Sequence, residues 1–181
     1  WAKRSVPTAQ VSVGDSVEVS VGTARCAFAH PTSCRCSEVS LSMFIHRRDV
    51  QIQWGDCDPA NIVYYPRYFA MFDDSTSVMF EAAGFSKQDI VRRYGLVGIP
   101  MVDTRAKLYI PSTYGDWITI ESRIDSFKRS SFEVIHKVYK GEALAIEGFE
   151  TRVLVGRDPG DPDKLKSAPI PEEIKVKFMQ G

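Results

Sequence analysis

Net charge is the first thing this chain lacks. Its 23 basic residues are matched by 23 acidic ones over 181 positions, which excludes a nucleic-acid binder that works through a general basic field. No apolar run is long enough to cross a bilayer, and no apolar h-region marks a secretory signal. Cysteine is sparse, with only Cys26, Cys34, Cys36 and Cys57. A chain of this length builds its own core and needs no disulfide framework, so a reducing, cytoplasmic setting is expected. Histidine is rarer still: His30, His46 and His136 are all there is. None stands near a serine in a nucleophile-elbow pattern, which leaves Ser-His-Asp hydrolysis without support. His136, inside a strand-like run, reads as a core or rim residue.

Residues 1–42 differ in texture from the rest, being rich in Ser, Val, Thr and Ala. Val11, Val13, Val17, Val19 and Val21 alternate loosely enough for one weak strand. Asp15, Glu18 and Glu38 are out of place in a transit peptide. Cys26, His30, Cys34 and Cys36 are chemically able to hold zinc, but their spacing matches no known finger, so no metal is expected. Trp1 stands where a starting Met would, and the N-terminus is expected to be cut, fused or mis-started. Residues 1–42 are therefore expected to be a disordered or non-native extension, and 43–181 the domain.

From Met43 the patterning is ordered. Val50, Ile52 and Trp54 alternate with polar residues and predict a half-buried strand. Pro66 suits the first position of a helix. Phe69, Phe72, Thr76, Met79, Phe80 and Ala83 then recur at helical spacing up to Gly84, a left-handed cap residue. Ala70, Met71 and Val78 make that helix apolar on other faces too, so it is expected to be wrapped by other elements. Asp73 within it needs a partner or a pocket, because an unpaired acid on a buried helix is costly; Asp74 is expected at the solvent edge. Ser86 and Asp89 cap a shorter helix that ends at Gly95. Alternating runs over 102–110, 118–124 and 132–139 predict strands, and 143–155 predicts a long one bulged at Gly148. The stretch 158–162 reads as a loop, and Pro171-Glu172-Glu173 opens a short terminal helix. Short links favour antiparallel neighbours, so the expected architecture is α+β: one antiparallel sheet curled around the long helix.

The stretch that carries chemistry is Gly55-Asp56-Cys57-Asp58-Pro59-Ala60-Asn61, between the first strand and the Tyr65-Pro66 opening of the long helix. A carboxylate beside a helix N-terminus can attack or activate water, while the free N–H groups there receive developing negative charge. Asp58 can also be an ordinary turn residue, since Asp before Pro is common in turns. Cys57 lies between two acids that raise its pKa, which makes it a packing residue rather than a nucleophile. Asp56 reads as a loop acceptor.

This order of elements, with that motif ahead of the helix, resembles the hotdog fold and, more narrowly, the 4-hydroxybenzoyl-CoA thioesterases, over roughly residues 43–179. The resemblance implies hydrolysis of an acyl-CoA, aromatic in its acyl group, with Asp58 as nucleophile or general base. It further implies that the backbone N–H of Tyr65 polarises the thioester carbonyl, that Asp73 binds a phenolic hydroxyl, and that Lys128 and Arg129 meet the CoA phosphates. Sites shared between subunits imply a dimer or tetramer; no cofactor, metal, nucleic acid or membrane is implied. The sequence departs from the pattern at Asn61, which replaces a Gly, at Ser130 in the basic cluster, and at Ile99, where the benzoyl enzyme carries a Thr. Competing readings are a hotdog module that binds acyl-CoA without cleaving it, and a thioesterase for short or medium aliphatic acyl groups.

Overall fold

The computed structural model describes residues 43–179. The weak strand expected over 11–21, the Cys26, His30, Cys34 and Cys36 set, and the extension over 1–42 all lie outside them.

Strand β1 (Ile45–Gln51) is followed by a single 3-10 turn, Trp54–Asp56, and then by helices α1 (Pro66–Ala82) and α2 (Lys87–Tyr94). Next come β2 (Leu96–Gly98), β3 (Met101–Leu108), β4 (Trp117–Phe127), β5 (Ser131–Lys140) and β6 (Ala143–Val153). The chain continues through β7 (Val155–Asp158), β8 (Asp161–Ser167) and helix α3 (Glu172–Met179). The five long strands form one sheet in the order β1-β4-β5-β6-β3, antiparallel throughout, and β2-β7-β8 form a smaller one.

Period-two alternation decides which face of the large sheet is buried. Ile118, Ile120 and Ile124 of β4, Phe132, Val134 and Val138 of β5, and Ile146 of β6 point inward. They pack with the buried face of α1, formed by Tyr68, Met71, Phe72, Met79 and Phe80. Each such side chain contributes roughly 1.5–3 kcal/mol when fully buried, so packing rather than helix propensity seats α1. Its end follows the sequence, with Gly84 at φ 88 after Ala83. The α2 caps do so too: the Asp89 N–H donates to Ser86 Oγ at 3.1 Å, and Gly95 closes the helix at φ 62.

Several expectations need correction. Strand β3 is not the neighbour of β4; it pairs with β6, and β1 takes the place beside β4. The link from β3 to β4 crosses the sheet end instead of turning back, held by Tyr109 and Ile110 N–H groups donating to the Ala145 carbonyl. The apolar alternation in β3 therefore lies on a sheet edge, and Val102 and Leu108 are 60% and 50% exposed. Strand β1 stops before Trp54, which sits in the 3-10 turn and is 74% exposed. The α1 surface is not wrapped on all sides: Arg67, Ala70, Asp74 and Glu81 are exposed. Residues 158–162 are the tip of the β7-β8 hairpin rather than a loop, and the long final strand breaks at Leu154. Gly148 carries no bulge, since it pairs in register with both Ala106 and His136. It is glycine because Phe72 Cε2 lies 2.5 Å from where its Cβ would be.

Candidate active site

The loop between β1 and α1 is a closed unit. Asp56 holds it at one end: its Oδ2 accepts the Gln53 N–H at 2.9 Å and its carbonyl accepts the Tyr64 N–H at 2.8 Å. Cys57 and Val63 face each other across an antiparallel bridge, with the Asp58 N–H donating to Ile62 O at 2.9 Å. Asn61 sits at φ 61, the left-handed conformation that Asn tolerates better than most side chains. Asp56 is thus scaffold, as its position in the sequence predicts.

Asp58 lies at the head of this turn. Its Oδ1 accepts the Ala60 N–H at 2.8 Å, and among the described residues its carboxylate accepts no other hydrogen bond. It lines a cleft of about 310 Å³ together with Trp54, Cys57, Pro59, Asn61 and Tyr114. Trp54 and Tyr114 pack edge to face, with ring centroids 5.8 Å apart, and give this cleft an apolar flank. One oxygen is therefore anchored by the turn, and the other is free to act on what enters. Cys57 is half-buried and packs against the cluster around Tyr68 and Phe72, the packing role read from its acidic neighbours.

Helix α1 opens beside this loop. Pro66 has no N–H, Arg67 N–H is taken by Tyr64 O at 2.8 Å, and Tyr68 N–H by Tyr65 O at 3.1 Å. The Tyr65 N–H meets no acceptor among the described residues. It stands at the positive end of a seventeen-residue helix dipole. The Tyr65 ring is itself 59% exposed and rests edge-on against Tyr64.

Asp73, two turns along α1, has the partner that its place demanded. Arg152 Nη2 of β6 lies 2.7 Å from Asp73 Oδ1, and Lys87 Nζ lies 3.5 Å from the same oxygen. Burial pushes the Asp73 carboxyl upward, but Arg152 and Lys87 outweigh it and hold the group below its ordinary value. Asp74 is exposed.

Behind Asp73 lies a polar network that the sequence reading missed. Arg152 is buried and pairs with the buried Glu150, Nε to Oε2 at 2.9 Å. Glu150 Oε2 also accepts Thr76 Oγ1–H at 3.1 Å and lies 3.5 Å from His136 Nε2. His136 Nδ1 meets Ser122 Oγ at 2.8 Å. Burial raises the Glu150 carboxyl, and His136 and Arg152 more than reverse that. The signal for this network was parity: Ser122, His136, Glu150 and Arg152 fall on the same strand positions as their buried apolar neighbours.

Lys128 and Arg129 are in the β4-β5 turn, both exposed, with Lys128 Nζ 2.9 Å from Glu133. That turn is at the far end of the sheet from Asp58, whose loop adjoins Gln51 and Trp117. The eleven residues of β4 separate the two ends, roughly 30 Å at strand rise. A single chain does not bring Asp58 and the Lys128-Arg129 pair together.

A long helix laid on a five-stranded antiparallel sheet, with an acid-bearing loop ahead of the helix, is a hotdog fold. The model of the thioesterase-like superfamily matches residues 52–178. The chain belongs to that superfamily and is a hotdog-fold acyl-CoA thioesterase. It is 32% identical over 130 residues to the 4-hydroxybenzoyl-CoA thioesterase of Pseudomonas sp. (strain CBS-3), covering 68% of this chain and 89% of that protein. It is 23% identical over 140 residues to the acyl-CoA thioester hydrolase YbgC of Escherichia coli O157:H7, covering 77% of this chain and all of that one. The three-dimensional structure of the Pseudomonas enzyme matches with a TM-score of 0.66 at 29% identity, over 74% of this chain and 98% of that one. The structure of the gentisyl-coenzyme A thioesterase BH1999 matches with a TM-score of 0.62 at 25% identity, over 74% and 98% of the two chains.

Proposed function

We propose that this thioesterase hydrolyses an aromatic acyl-CoA of the hydroxybenzoyl class, with Asp58 as the reacting carboxylate. Two observations carry the chemistry: the Asp58 carboxylate has one oxygen anchored and one open, and seven residues on, at the start of α1, the Tyr65 N–H meets no acceptor among the described residues. A thioester carbonyl held by the Tyr65 N–H gains stabilisation where negative charge develops. Asp58 then takes a proton from water as its oxygen attacks the carbonyl carbon, or attacks directly to give an acyl-aspartate that water cleaves. In either course the C–S bond breaks, the thiolate of CoA leaves and takes up a proton, and the acid is released. Thiolate is a good leaving group, so little acid assistance is required.

Two features support the aromatic reading. Asp73 stands eight residues beyond Tyr65, about 12 Å along the helix axis. That suits a carbonyl, one ring and a para hydroxyl with a hydrogen bond at each end. The 32% identical relative also bears the name of such an enzyme. Lys128 and Arg129 are assigned to the CoA phosphates as a charge pair contributed by another subunit, because they lie far from Asp58 within one chain. A dimer or tetramer follows from that assignment, and the uncovered β3 edge, with Val102 and Leu108 exposed, provides a surface for it. Residues 1–42 are assigned no part in the site, and a cytoplasmic location accords with free Cys57.

The test is a panel of acyl-CoAs followed by thiol release. Turnover of 4-hydroxybenzoyl-CoA well above that of aliphatic esters is expected; cleavage of none of them would sink the reading.

A further inference from the structure

The chain of polar side chains behind α1 plays no part in the hydrolysis chemistry, yet it is continuous. It runs from Ser122 through His136, Glu150 and Arg152 to Asp73, and only its last member reaches solvent: Arg152 is 2% exposed by side chain, Glu150 0%, and Asp73 48%. A buried ion pair returns little stability over well-packed apolar side chains of the same volume. Packing alone therefore gives no reason for Arg152 and Glu150 here.

The geometry at the exposed end does. Both cations approach Asp73 through Oδ1, Arg152 at 2.7 Å and Lys87 at 3.5 Å. Arg152 is itself held: its Nε donates to Glu150 Oε2 at 2.9 Å, and its Nη2 lies 2.9 Å from the same oxygen as part of the ion pair. Glu150 is in turn fixed by Thr76 from α1 and by His136, whose ring stacks on Phe72 at 4.7 Å with a 5° tilt. We propose that Arg152 is a positioning residue, holding the Asp73 carboxylate by Oδ1 so that Oδ2 is presented as an acceptor to the distal end of the acyl group. The assignment rests on the hydroxybenzoyl reading given above, in which Asp73 accepts from the distal hydroxyl, and adds to it the residue that orients that acceptor. The sign of the Asp73 shift agrees, since the two cations hold the carboxyl in its ionised, acceptor-only form against the effect of burial. An ether or a second carboxylate offers such an acceptor nothing.

The comparison of 4-hydroxybenzoyl-CoA with 4-methoxybenzoyl-CoA, equal in ring and position but differing in the donor, tests this on the unmodified protein. A kcat/KM preference of about tenfold or more for the hydroxyl ester is expected from one charge-assisted hydrogen bond. A paired variant, Arg152→Met with Glu150→Gln, removes both buried charges together. Its loss is expected to fall on the hydroxyl ester and bring the preference within threefold of unity. Arg152→Lys keeps a buried charge on a shorter, non-forked side chain, and is expected to lower the preference at least threefold; it stands in if the paired variant gives no cooperative melt. The proposal is overturned by an unmodified protein that hydrolyses both esters alike. It is equally overturned by a preference that survives in either variant, or by an equal loss on both esters. Hydrolysis of no ester by the unmodified protein overturns the functional reading itself and this proposal with it.

Discussion

The ring of Phe72 occupies the space that a side chain on Gly148 would fill, so that α1 lies directly on the backbone of β6. The same ring is stacked on His136, which pairs with Gly148 in the sheet. Helix and sheet are thus registered to one another at a point one residue before Asp73. A methyl group at 148 must push Phe72 aside, and the helix with it. Gly148→Ala is expected to cost about 1–3 kcal/mol, the usual range for overpacking a core. A thermal melt checks it: a melting temperature equal to that of the unmodified protein would show that the ring yields freely.

Asp58→Asn keeps the acceptor that Ala60 N–H requires but removes the base. A fall in kcat of about a hundredfold to ten-thousandfold is expected, the range for losing a positioned general base. Binding of CoA, measured by calorimetry, should stay within a factor of two. Turnover comparable to the parent would remove Asp58 from the mechanism.

Lys128→Ala with Arg129→Ala is expected to raise KM for CoA esters several-fold at low salt and to leave kcat nearly alone, because the lost contact is to a part of the substrate that does not react. An N-acetylcysteamine thioester of the same acid lacks the phosphates. It should show no change, and an equal KM rise for both substrates would mean that the pair acts on the fold.

The distance between Asp58 and that basic pair within one chain makes a further prediction about assembly. Sedimentation should show at least a dimer at the concentrations at which the protein is active. Activity per mole of chain should fall on dilution through the dissociation range. A fully active monomer would exclude a shared site.

Glu150 makes a prediction about acid stability. Its folded pKa lies below the ordinary value of 4.5. A depressed carboxyl stabilises the fold above its unfolded pKa, and that contribution is lost as pH falls through the folded one. The urea midpoint of the unmodified protein is therefore expected to decline as the pH drops below about 4.5. Glu150→Gln, about 1–3 kcal/mol less stable at pH 7 for its weakened bonds, should show a shallower decline in that window. A parallel curve would show that Glu150 is not a source of the acid sensitivity.

Much of this architecture is legible in the residues. Pro66, Gly84, Ser86 and Gly95 mark helix ends through backbone chemistry that is local, and local rules transfer directly to the structure. The same holds for Asn61, whose left-handed conformation follows from its side chain. Strand order was less accessible. The β3-to-β4 link looks like a turn in sequence, and only the competition for a partner along β6 sends it across the sheet end. Trp54 matched the parity of a buried strand face, yet the 3-10 turn closed by Asp56 lifts it out. The Arg152-Glu150 pair went unread because a charged residue in a strand is ordinarily taken as outward-facing. The positions of Glu150 and Arg152, two and four residues beyond Gly148 on the inward parity, were the available clue. Asp58 itself was visible as a turn residue in its own right, and chemistry was assigned to it through the motif as a whole. What the structure adds is the state of its oxygens, one bound and one open.

The Tyr65 N–H, which meets no acceptor among the described residues, has a bearing on how the proposed site can drift. A group supplied by the main chain is indifferent to the side chain that accompanies it. On the proposed mechanism, position 65 is therefore free to vary among nineteen of the twenty amino acids and closed to one alone: a second proline beside Pro66 would erase the N–H assigned to the carbonyl. Sequence variation at 65 among proteins that share this chemistry should accordingly look like that of an unimportant surface position, with a single forbidden letter.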